Sequence, residues 1–215
     1  MDTTTPDNGD GFKTGLDILD GLVSLKPGSQ AAIGILSPSG AGATSLLAQI
    51  ARASGMVGKT LVFSPMPMPA EVIERFAGMG VTIYNDIDDA ETLKEIVREA
   101  KPAAVIIDGL YGYLPPKNWQ GTRGDYVILL DRDMVKLAFQ QNFVLFMSKQ
   151  ANRDPLPQGV GEVVAVEDSC TDVMVLTFDD DSRQHRLRVV KSRDGCPPSQ
   201  NLVFDRVMQT FSAVV

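Results

Sequence analysis

The chain has 215 residues, 44% of them hydrophobic and 22% charged, the proportions of a globular protein long enough to bury a core. Its formal net charge of −7 argues against a broad electrostatic grip on nucleic acid and leaves only local basic loops for that purpose. A single histidine, His185, and two cysteines, Cys170 and Cys196, leave little from which to build a histidine zinc site, a Ser-His-Asp triad or a disulfide framework.

Residues 1–11 are polar and acidic, unlike a signal peptide, and read as a disordered tail. Residues 12–215 are expected to form one domain. No apolar stretch approaches the ~20 residues of a membrane span. The two cysteines, too few for a disulfide framework, fit a reducing cytoplasm, and the expected setting is there, away from a membrane. A short helix is predicted over 12–22, with Leu16, Leu19 and Leu22 on its apolar face. The apolar run from Ala31 to Leu36 predicts a buried strand, and Leu46, Leu47, Ile50 and Ala51 predict a helix over 44–54. A second strand is expected at 59–63. Pro65, Pro67 and Pro69 then forbid helix until Ala70, where a helix runs to about Gly78. A strand at 81–84 and an amphipathic helix at 88–100 follow. In that helix Leu93, Ile96 and Val97 face inward, and Glu91, Lys94, Glu95, Arg98 and Glu99 face outward. Strand 103–108 ends in Asp108. A loop over 109–124 leads into a helix at 126–140 and a strand at 143–147, and a polar loop is expected from Ser148 to Gly161. The remaining strands, at 163–166, 172–178, 186–190 and 201–204, lack intervening helices. This order predicts an α/β protein with a mainly parallel central sheet and a β-rich C-terminal edge.

Between the first buried strand and its helix stands Ser37-Pro38-Ser39-Gly40-Ala41-Gly42-Ala43-Thr44-Ser45. Strand, glycine-bearing turn and helix form the context of a phosphate-binding loop, in which backbone N–H groups and the helix N-terminus attract an anion. Against the pattern G-x-x-x-x-G-K-S/T, Gly42 and Thr44 match. Ser37 replaces the first glycine, and Ala43 stands where the lysine belongs. Asp108, at the end of a later buried strand, is where such proteins carry the acid that orders Mg²⁺. A close-packed strand–helix connection needing glycine for its geometry alone is the plain alternative.

The segments FKTGLDILDGLV, KPGSQAAIGILSPSGAGATSLLAQIA, KTLVFS, KPAAVIIDGL, FVLFMSKQ, LRVVKSRDG and LVFD follow one another as in RecA-like ATPases. The chain most resembles their DnaB, RadA and KaiC group, over residues 12–211. The resemblance implies a RecA-like three-layer α/β/α fold, nucleotide at a subunit interface, and rings or filaments, often on single-stranded DNA. It implies ATP or ADP with Mg²⁺ at residues 39–45 (Ser39, Gly40, Ala41, Gly42, Ala43, Thr44, Ser45) and at Asp108, with Thr44 and Asp108 holding the metal. Lys191 and Arg193 match the K-x-R pair that reaches a neighbour's nucleotide in trans; two solvated charges before a turn are the bland reading.

Two departures bear on catalysis. Ala43 lacks the charge that contacts the β- and γ-phosphates. Met66 falls where water-attacking members carry a glutamate, and Glu71 lies too far along to replace it. A phosphoryl transition state spreads charge over its oxygens and needs such electrostatic help. Lys191 or Lys149 is a candidate substitute for the missing charge. The loops after Asp108 and Met147 correspond to the family's DNA-binding loops. They hold Tyr111, Tyr113, Lys117, Trp119, Arg123, Lys149, Asn152 and Arg153, aromatics and cations suited to stacking and phosphate contact; core packing with solvated charges is the alternative. The first expectation is therefore a catalytically degenerate RecA-like protein. It would act as an accessory or assembly partner in DNA recombination, repair or replication, as a homo-oligomer or with a RecA-like homologue. An active DNA-binding ATPase with its charge supplied from elsewhere is the second, and a nucleotide-free structural or regulatory interaction protein the third.

Overall fold

The computed structural model describes residues 12–22, 28–150, 169–179, 183–193, 195 and 199–214. The tail at 1–11 and the strand expected at 163–166 lie outside them. In chain order the elements are α1 (Asp17–Asp20), β1 (Ala31–Ser37), α2 (Ala43–Gly55), β2 (Thr60–Ser64), α3 (Ala70–Phe76), β3 (Val81–Asn85), α4 (Ala90–Ala100), β4 (Ala104–Ile107), a 3₁₀ turn at Leu110–Gly112, α5 (Arg123–Gln141), β5 (Val144–Gln150), β6 (Asp172–Asp179), β7 (Gln184–Lys191), β8 (Gln200–Asp205) and β9 (Thr210–Ala213).

The strands form one sheet in the order β3-β2-β4-β5-β1-β6-β7-β8-β9. From β3 to β6 all pairings are parallel; from β6 to β9 they are antiparallel. β1 is buried along its whole length, because parallel strands are covered on both faces. Side-chain alternation divides its residues between two cores. Ala31, Ile33 and Ile35 pack with Leu46, Leu47 and Ile50 of α2, Phe76 of α3 and Leu19 of α1. Ala32 and Leu36 lie on the other face, with Leu93 and Val97 of α4 and Leu130 and Met134 of α5. The result is a three-layer α/β/α architecture with an antiparallel C-terminal edge.

Local chemistry sets the helix starts. The Asp89 carboxylate caps α4 by accepting from Thr92 N at 2.9 Å. α5 begins at a reciprocal capping box between Thr122 and Asp125, which starts it three residues before the expected Tyr126. The helix expected over 12–22 shrinks to α1. The Asp20 carboxylate accepts from Thr14 N at 2.7 Å and Thr14 Oγ1 at 2.6 Å, closing a turn where the first helical residues would be. β5 runs to Gln150, because it pairs with β1 as far as Ser37; Ser148 to Gln150 are therefore strand rather than loop. Lys94, expected to face outward, is buried, and its ammonium lies 2.6 Å from Glu91 and 3.4 Å from Asp133 of α5. β9 was not foreseen. Its turn is closed by the Asp205 carboxylate, which accepts from Val207 N at 2.7 Å and Met208 N at 3.0 Å.

Candidate functional site

The turn between β1 and α2 opens on a cleft of about 960 Å³ at the C-terminal ends of the parallel strands. In open α/β sheets this is where ligands bind. Gly40 and Gly42 both have left-handed φ, +83° and +93°. Gly42 is also constrained from beneath: a Cβ there would lie 2.8 Å from Cζ of Phe211. Gln49 of α2 holds Phe211 in place. Its Oε1 accepts from Phe211 N at 2.8 Å and its Nε2 donates to Phe211 O at 3.0 Å. The glycine therefore serves both backbone conformation and close packing on β9. The signal for Gln49 was in the sequence, as a polar residue on the apolar face of a helix; nothing local marked Phe211.

Thr44 opens the second residue of α2, and its side chain hydrogen-bonds Asp108. Asp108 follows β4 directly. Ser148 Oγ donates to Asp108 Oδ1 at 2.9 Å and accepts from Gly109 N at 2.8 Å. Burial pushes the Asp108 carboxyl above the usual carboxylate range, and the hydrogen bonds from Ser148 and Thr44 oppose that rise. Among the described residues no lysine or arginine forms an ion pair with it. A carboxylate and a hydroxyl side by side, facing an open cleft, suit Mg²⁺, which takes few protein oxygens and completes its shell with water and phosphate. No cluster of three or more His, Cys, Asp or Glu suited to a metal occurs among the described residues, so a self-contained protein cage is not what these groups build.

Residues 39–45 are brought together as the sequence suggests, with Asp108 beside them. Other expected positions separate. Met66 is exposed and does not line the cleft, nor does Glu71. Lys149 borders the cleft, but it points to the α5 face. Its ammonium is buried 3.2 Å from Asp131, a fully buried carboxylate that also accepts from Ser169 Oγ at 2.8 Å. Lys149 is thus neither a stand-in for the loop lysine nor a surface cation for DNA. Tyr113 is fully buried, and burial raises its phenol pKa; it is core, not a stacking platform.

The rest of that loop is tied to the start of α5. The Arg123 guanidinium donates to the Tyr111 carbonyl. Trp119 Nε1 donates to Thr122 O at 2.9 Å, and its ring meets Tyr126 edge-on at 5.5 Å. Lys117 is exposed. Asn152 and Arg153 lie outside the described residues. Lys191 pairs with Val173 near the start of β6, at the end of β7 remote from the cleft. The neighbouring turn is anchored by buried Asp172, which accepts from Ser192 Oγ at 2.7 Å and Arg193 N at 3.3 Å. The Arg193 guanidinium sits 5.7 Å from the Phe139 ring centroid. Neither Lys191 nor Arg193 lines its own chain's cleft.

The cleft has a second wall that sequence reading missed. Phe178, His185 and Phe204 line it, with ring centroids 4.7 Å apart for Phe178–His185 and 5.8 Å for His185–Phe204. Arg75 of α3, Arg183 before β7 and Arg206 after β8 also border it. These residues are far apart in sequence, and only the antiparallel edge folding back beside the turn assembles them.

No family model matches this chain, and no curated protein does. Solved structures are similar. One is the ATPase domain of G40P, with a TM-score of 0.79 and 16% identity over 98% of this chain and 94% of that one. Another is a DnaB-like replicative helicase, whose structure is described together with its interactions with primase. It has a TM-score of 0.79 and 16% identity over 95% of this chain. The match spans 62% of that helicase, so this chain corresponds to less than two thirds of it. The architecture, the strand order and these likenesses agree: the chain has the RecA-like P-loop ATPase fold of DnaB-type helicase ATPase domains.

Proposed function

We propose that the cleft binds a nucleoside triphosphate with Mg²⁺ and that the chain hydrolyses it weakly or not at all. The observation that carries this reading is the Thr44–Asp108–Ser148 constellation, beside a turn whose lysine position is Ala43. The turn's N–H groups can hold phosphate. Bound Mg²⁺ supplies charge neutralisation at the phosphates, with Thr44 Oγ1 and Asp108 as its protein ligands. The aromatic wall offers flat surfaces for a base. Met66, an apolar side chain outside the cleft, cannot orient an attacking water, which supports binding without efficient turnover.

In this reading the protein is an accessory or assembly partner in DNA replication, recombination or repair, working in the cytoplasm as an oligomer with itself or with a RecA-like homologue. Lys191 and Arg193, neither of which lines its own chain's cleft, are the residues proposed to serve a neighbouring molecule's nucleotide. Single-stranded DNA is the proposed polymer ligand. Tyr111, Lys117, Trp119 and Arg123 are the described residues left for it. No helix among the described residues is long and apolar enough to cross a membrane.

Calorimetric titration with ATP and ADP in the presence of Mg²⁺ tests the reading, with Gly42→Arg as the blocked control. Binding that the control and Asp108→Asn lose is the expected result. Absence of binding at millimolar nucleotide would sink it and leave a RecA-shaped scaffold. Turnover abolished by Thr44→Ala would instead favour an active ATPase.

A further inference from the structure

We infer that the phosphate charge missing at Ala43 is supplied in cis by Arg206, from the β8–β9 turn, and Arg75, from the last turn of α3. This rests on the proposal that the cleft takes a polyphosphate ligand. The topology brings the β8–β9 turn to the cleft side of the sheet. β6 runs parallel to β1, and β7 and β8 each reverse direction. β8 therefore ends on the side where β1 enters the phosphate-binding turn. β9 is also packed against that turn, because Phe211 lies directly under Gly42. Arg206, four residues before the start of β9, borders the same cleft as the N–H groups that would hold phosphate.

The charge inventory singles out these two arginines. Lys149 is neutralised by Asp131. The Asp205 carboxylate next to Arg206 is engaged with its own turn's N–H groups. Neither Arg206 nor Arg75 forms an ion pair among the described residues, although the chain as a whole carries −7. Arg52 donates to the Arg75 carbonyl, which holds the end of α3 where Arg75 borders the cleft. Arg183 also borders the cleft, but it lies in the β6–β7 turn, whereas α3 and β9 both pack on α2, the helix that the phosphate-binding turn opens. A guanidinium presents a planar fork that matches two phosphate oxygens at once. Two such forks bordering one cleft can therefore do what one loop ammonium does in a complete P-loop.

The test titrates the full chain with Mg²⁺-ATP and, separately, with inorganic tripolyphosphate, which has no base or sugar. Arg206→Ala and Arg75→Ala are each expected to weaken both ligands about tenfold, equivalent to about 1.4 kcal/mol. Arg206→Lys should retain part of the affinity and report that the fold is intact. Ala43→Lys added to Arg206→Ala should restore binding, since it returns a cation to the loop. If ATP binds and both alanine variants match the wild type, the inference is overturned and the nucleotide reading stands. Arginine-dependent binding of tripolyphosphate without binding of ATP would uphold the inference and overturn the nucleotide reading. Binding of neither ligand by the wild-type chain overturns both.

Discussion

Two carboxylates, Asp131 on α5 and Asp108 after β4, meet consecutive residues of β5 and are treated in opposite ways. Asp131, on the buried face of α5, is answered by the Lys149 ammonium and the Ser169 hydroxyl. Asp108 faces the cleft and, among the described residues, is answered by the hydroxyls of Ser148 and Thr44. The two polar partners from β5, Ser148 and Lys149, are consecutive residues, and strand alternation sends one to each face. The difference teaches which acid is structural and which is available. A buried carboxylate that keeps a cation has its charge balanced within the fold. One held by hydroxyls beside open space retains affinity for a cation that comes from outside.

The largest expected effect breaks the closed side of this comparison. Lys149→Met strands a buried carboxylate whose Oδ1 already lacks a partner. The expected loss is about 3–5 kcal/mol in urea unfolding, and most of it should return in Lys149→Met/Asp131→Leu, where both charges are gone. A single variant as stable as wild type would mean that the pair is not closed.

The next effect concerns the turn that makes the open side. Gly42→Ala introduces a Cβ at positive φ and 2.8 Å from the Phe211 ring. It should cost roughly 2 kcal/mol and weaken ligand binding at the same time. Equal stability with unchanged binding would show that Phe211 does not brace the turn.

Asp108→Asn should do the reverse of Lys149→Met and stabilise the chain, by about 2–4 °C in Tm if the relief is roughly 1 kcal/mol, while Mg²⁺-nucleotide affinity falls. The sign follows from the raised pKa. Whatever stability a carboxyl with a raised folded-state pKa contributes is fully present below its unfolded pKa and is lost as pH rises through the folded value. The Tm gap between variant and wild type should therefore be widest at neutral pH and shrink on acidification. A gap that is constant with pH would contradict the assignment.

The smallest effect is at His185. Its burial among Phe178, Phe204 and Phe211 lowers its pKa, so its contribution is present at neutral pH and lost as pH falls through the lowered value. His185→Phe should flatten the acid limb of a Tm–pH curve slightly and leave neutral stability nearly unchanged.

Much of this molecule was written locally. The apolar run 31–36, the helical spacing of Leu46, Leu47 and Ile50, the prolines at 65, 67 and 69, and the acid closing the run before Gly109 set the alternating strands and helices. They also marked residues 39–45 as the turn after one buried strand and Asp108 as the acid ending another, because periodicity and turn chemistry act over a few residues; the parallel pairing of both strands with β5 brought the two together. Even the absence of a cation at Ala43 is a fact of sequence alone. What surrounds that absence is not. Lys149 and Tyr113 resembled surface ligands in a polar loop, yet the extension of β5 along β1 and the packing of α5 placed them in the core. The aromatic wall, Phe211 beneath Gly42, and the arginines at positions 75 and 206 come from segments more than a hundred residues apart in the extreme case. Burial and proximity are set by the long-range pairing of β6 to β9 beside β1, and no short-range pattern encodes which distant side chain will share a cleft with a given turn.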